Sequence, residues 1–178
     1  MRLTTTADSQ DLLAAERFLA AEARIAATFG RIEEAVAPLL RAMRATGRTT
    51  YATDPERGAI WGHAFLRPPY APDAAAEWFL AWGLRFPDGG AGWDGADPPL
   101  PRGVHAVVAL GAGGEPQRRP GSPISARLPR GWCALDGEAA FLAAALPAEP
   151  DAMAEALAAW TLARLEDLRT VLPGLAAG

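Results

Sequence analysis

Apolar residues along the first quarter of the chain fall on one helical face. Phe18, Ile25, Phe29, Ile32, Val36, Leu39 and Met43 are spaced by sevens, fours and threes, which predicts a long helix over 11–43. Asp8 or Ser9 is suited to cap its start, and Gly47 to supply a left-handed stop at its end. Pro38 interrupts the pattern. It lacks an N–H and its ring presses on the carbonyl four residues back, so a kink near 35–37 is expected, or a break with a second short helix over 38–46. The stripe suits either a coiled-coil partner or, more simply, the face a helix lays on a sheet.

The period then drops to two. Thr49–Thr53 and Ala59–Leu66 flank Asp54-Pro55-Glu56-Arg57-Gly58 and read as a β-hairpin. Glu77–Phe86 is the clearest strand, with Trp78, Leu80, Trp82, Leu84 and Phe86 on one side and Phe79, Ala81, Gly83 and Arg85 on the other. The bulkier side is expected to meet the helices. Val104–Leu110 reads as a further strand, and Ile124–Leu128 with Trp132–Leu135 as a last hairpin around Pro129-Arg130-Gly131.

Beyond this point the spacing predicts helix again. Asp136 is placed to cap a helix over Glu138–Leu146 that Pro147 ends, and Pro150 suits the first turn of the next. Leu157, Thr161, Leu165, Leu168 and Leu172, flanked by Met153 and Trp160, form its inner stripe up to a stop at Pro173-Gly174. The predicted architecture is a single α+β domain spanning 1–178. An antiparallel sheet of about five or six strands carries a long N-terminal helix, kinked or broken near Pro38, and C-terminal helices packed on it.

Composition narrows the chemistry. All 17 basic residues are arginine, and neither lysine nor asparagine occurs, which excludes Schiff-base catalysis, the phosphate-binding lysine of a P-loop and any step through an asparagine side chain. A net charge of -4 gives no footprint for a nucleic-acid backbone. The single cysteine, Cys133, permits no internal disulfide, and the polar first ten residues lack a signal-peptide core, so a cytoplasmic location is expected. Charged residues interrupt every long apolar run, and no membrane span is expected.

Motifs that resemble sites fail on context. Val107–Gly114 begins like a strand entering a dinucleotide loop, but Pro116, Pro120 and Pro123 forbid the helix whose N-terminus would hold the phosphates. Asp88, Asp94 and Asp97 lack the order of a calcium loop. His63 and His105 lack the further ligands that zinc requires, although they would approach one another if their strands paired in register. Ser122 is not in a nucleophile elbow, and Cys133 reads as a packed thiol. No metal, no cofactor and no catalytic residue is therefore expected.

Two groups remain. Arg118 and Arg119 lie in a locally basic, glycine-containing loop that could grip an anion, or could form a solvated edge. Trp61, His63 and Phe65 share one side of their strand, and Trp78, Trp82 and Phe86 one side of theirs. Were those sides to adjoin, they would make either a helix-covered core or an indole-lined wall for a small organic ligand, with His63 or Arg85 as its polar contact. The sequence thus favours a non-enzymatic binding or regulatory module that self-associates through the long helix or a sheet edge. The alternative is a small-molecule sensor or enzyme built around His63, with His105, Arg85 and a carboxylate such as Glu77.

Overall fold

The computed structural model describes residues 9–54, 59–71, 77–86, 104–113, 128–135, 138–143 and 150–176. Helix α1 (Ser9–Ala42) leads into strands β1 (Thr46–Asp54), β2 (Ala59–Phe65), β3 (Glu77–Arg85), β4 (His105–Gly113), β5 (Cys133–Leu135) and β6 (Glu138–Ala143). Helix α2 (Pro150–Ala176) follows. All the ladders are antiparallel, and neighbouring strands run β1-β2-β3-β4-β6-β5. The chain is α+β, with an antiparallel sheet, a long N-terminal helix and a C-terminal helix.

Both helices lie on one side of this sheet. Ile32, Val36, Leu39, Leu40 and Met43 from α1 and Leu157, Leu165, Leu168 and Leu172 from α2 share one core with Trp78, Leu80, Trp82, Val108 and Leu110. As the alternation along β3 predicts, Trp78, Leu80 and Trp82 point to the helices and are buried; Phe86 is exposed instead. At the sheet edge, an Arg48–Glu33 ion pair at 2.8 Å and the Phe29–Tyr51 ring contact hold β1 to α1. An Arg31–Glu155 pair at 3.5 Å links the two helices.

Several expectations need correction. Helix α1 is not broken at Pro38 but runs through it as one segment. Pro38 is on the exposed side, while Val36, Leu39 and Leu40 bury both flanking turns against the sheet, so packing outweighs the lost hydrogen bond. The helix also stops before Gly47. Arg44 adopts the left-handed conformation (φ 54°), and the bonds Ala45 N–H to Leu40 C=O and Arg44 N–H to Arg41 C=O close a Schellman motif. Gly47 (φ 59°) instead sits in β1 against the Phe65 ring, where a Cβ would lie 2.7 Å from it.

The largest departure concerns 138–146. This alanine-rich stretch, expected to be helical, supplies strand β6, because β4 offers it a full ladder from Leu110↔Ala139 to Ala106↔Ala143. Here, strand pairing overrides local helix preference. Its hairpin partner is β5, and the expected cap at Asp136 lies outside the described residues. Strand β4 also continues past Leu110 to Gly113, and α2 continues past Pro173 to Ala176. The expected strand over 124–128 lies outside the described residues except at Leu128.

Candidate functional site

Register decides which side chains share the second face of the sheet. Across β2 and β3, Trp61 pairs with Gly83, His63 with Ala81 and Phe65 with Phe79. Directly opposed residues project to the same side. Trp61, His63 and Phe65 therefore lie with Phe79 and Arg85 on the face away from the helices, whereas Trp78 and Trp82 belong to the core. The expected wall is therefore divided, with Trp61, His63 and Phe65 on one face and Trp78 and Trp82 on the other. Trp61, His63 and Arg85 share the face that no described helix covers, with Arg85 four residues along β3 from the row of His63, and Trp78 and Trp82 are not among them.

Small residues opposite large ones shape this face. Gly83 faces Trp61, Ala81 faces His63 and Gly111 faces Phe79, so each ring has room to lean over the neighbouring strand. Along β2 the rings form a continuous row, with Trp61 and His63 centroids 5.0 Å apart at 38° and His63 and Phe65 5.4 Å apart, edge to face, at 78°. His63 Nδ1 is buried there with no hydrogen-bond partner among the described residues. Beside the row is a pocket of about 90 Å³ whose lining includes Trp61, Phe79, Ala81, Gly83, Arg85, Val107 and Ala109. His63 adjoins this pocket without lining it.

Arg85 and His105 pair directly across β3 and β4 at one end of the face and are buried, to 9% and 3% exposure. Each makes contacts elsewhere in the chain. His63 and His105 do not meet, because β3 separates their strands and their rows are four residues apart, roughly 13 Å along the sheet. Glu77 is exposed at the opposite end of β3 from Arg85 and does not reach the pocket. Arg118 and Arg119 lie outside the described residues. Among the described residues no group of three His, Cys, Asp or Glu side chains is placed to hold a metal ion, and no helix is long and apolar enough to cross a membrane.

Comparison of the chain with family models, curated proteins and solved structures finds no match. Function must therefore be argued from the face itself. Phe79, Ala81, Gly83, Val107 and Ala109 all contribute to the pocket, yet none was singled out from the sequence as a ligand contact. The signal was present in the small residues at alternate positions of β3, but only the β2–β3 register places Trp61 over them.

Proposed function

We propose that this chain is a non-enzymatic binding module whose recognition surface is the helix-free face of the sheet. One observation carries the reading. Trp61, His63, Phe65 and Phe79 lie on the side of the sheet that no described helix covers, and each remains only half-buried. Large aromatics kept in that state supply contact area for an apolar partner. The reading takes the sheet at six strands, with β5 outermost, and a cytoplasmic setting.

Self-association belongs to the same reading and falls on the first half of α1. Leu12, Leu13 and Leu19 are 65%, 54% and 62% exposed there, whereas the free edge at β1 is interrupted by two register shifts, a feature that discourages edge pairing. The binding surface is tested with Nile red, a neutral apolar dye. Its emission should rise on the wild type and lose most of that rise in the Trp61→Ala/Phe79→Ala variant; an unchanged rise in the variant would remove this face as the surface.

A further inference from the structure

Resting on the self-association proposed above, we infer that the first half of α1 pairs with the same half-helix of a second copy, running antiparallel, with Leu12 of each chain seated on the partner's Gly30. Helix α1 spans 34 residues, about 50 Å, yet Phe29 is its first buried residue among the described side chains. Leu12, Leu19, Ala23, Ala26 and Gly30 follow one another at steps of seven, four, three and four. They therefore share one face, turned away from the Ile32, Val36 and Leu39 face that meets the sheet. The two leucines on it are 65% and 62% exposed.

Gly30 carries the inference. Glycine within a helix is destabilising relative to alanine, and here no neighbouring element lies within 4 Å of where a Cβ would stand. Among the described residues, nothing packed on α1 requires a bare backbone at this position; a second helix approaching closely would. The order along the face points the same way, with the large residues at its N-terminal end and the small ones at the other. An antiparallel two-fold sets Leu12 on the partner's Gly30 and Leu19 on the partner's Ala23, matching large to small over about 27 Å.

Charge selects the same direction. Glu16 is exposed on this face, and parallel pairing would set it against the partner's Glu16. Antiparallel pairing sets it instead on the partner's Ala26, half a turn from the partner's exposed Arg24, where the opposite charges attract.

Sedimentation equilibrium over a wide concentration range, with circular dichroism on the same samples, tests the pairing. The wild type should form a dimer. Glu16→Arg should raise its dissociation constant at least about tenfold, and the double variant Glu16→Arg/Arg24→Glu should return it to within about threefold of wild type. Gly30→Leu meets open space within its own chain, so helicity should persist while the dimer weakens at least about tenfold. A dimer indifferent to Glu16→Arg and to Gly30→Leu, or one weakened by Glu16→Arg and not recovered by the double variant, overturns the antiparallel pairing and leaves self-association standing. A wild type that is monomeric at every concentration removes both.

Discussion

The two faces of strand β3 have opposite environments. On one, Trp78, Leu80 and Trp82 are 7%, 0% and 0% exposed beneath the helices; on the other, Phe79, Ala81 and Gly83 are only half-buried. Both faces are apolar in the middle of the strand, with Glu77 and Arg85 only at the ends of the second, so hydrophobicity alone does not distinguish core from binding surface. What distinguishes them is the partner. The helical stripes of α1 and α2 supply enough side chains to cover one face, and no described helix covers the second. Each face also uses the same local device, a small residue opposite a large one, with Gly62 facing Trp82 on the core side and Gly83 facing Trp61 on the other.

The sharpest way to break this arrangement is at the glycines. In Gly83→Ala the new Cβ would press on the Ile60 carbonyl and come within 2.7 Å of the Trp61 Cα, both backbone atoms of β2 that cannot step aside. A loss of at least about 4 kcal/mol is expected in urea denaturation, because the β2–β3 ladder would have to separate. A near-wild-type midpoint would show that the strands sit further apart than described here.

Pro38→Ala probes the helix that covers the core face, and its sign is opposite. The proline is exposed within an unbroken helix, so restoring the N–H and removing the ring should stabilise by about 1 to 3 kcal/mol, readable as a raised thermal midpoint. A lowered midpoint would mean that a bend at this position is needed to fit α1 to the sheet.

The smallest effect is expected at Arg31. Its guanidinium is held above its ordinary value first by the hydrogen bond to Glu34 and then by the charge of Glu155, but the side chain is exposed, and such pairs contribute little. A raised arginine value gives a contribution that is complete below the ordinary arginine range and lost only as pH rises beyond it. Arg31→Ala should therefore track the wild-type stability curve in parallel between roughly pH 6 and 9. A gap that opens or closes within that range would place the pair in a drier setting.

These contrasts also show why only part of the molecule was legible in the sequence. The helical stripes and the alternation of β3 follow from the fixed geometry of helix and strand, so the core residues Phe29, Val36, Leu80, Leu165 and Leu172 could be read directly. Strand β6 was not, because Glu138–Ala143 has a helix former's composition and its longer ladder is with β4, which lies far off in sequence. The candidate site failed for the same reason. Period two assigns Trp61 and Trp82 each to a face of its own strand, and a shift of one residue in the β2–β3 register would have united them.

The most direct test of the account compares the two tryptophans that this register separates. Trp82→Ala and Trp61→Ala should be unfolded side by side in urea. Trp82 is completely buried beneath the helices, and its loss should cost about 3 to 5 kcal/mol, whereas Trp61, half-buried on the helix-free face, should cost about 1 kcal/mol or less. Equal and large losses would mean that both faces belong to the core, and the helix-free face would then have no claim to be a binding surface.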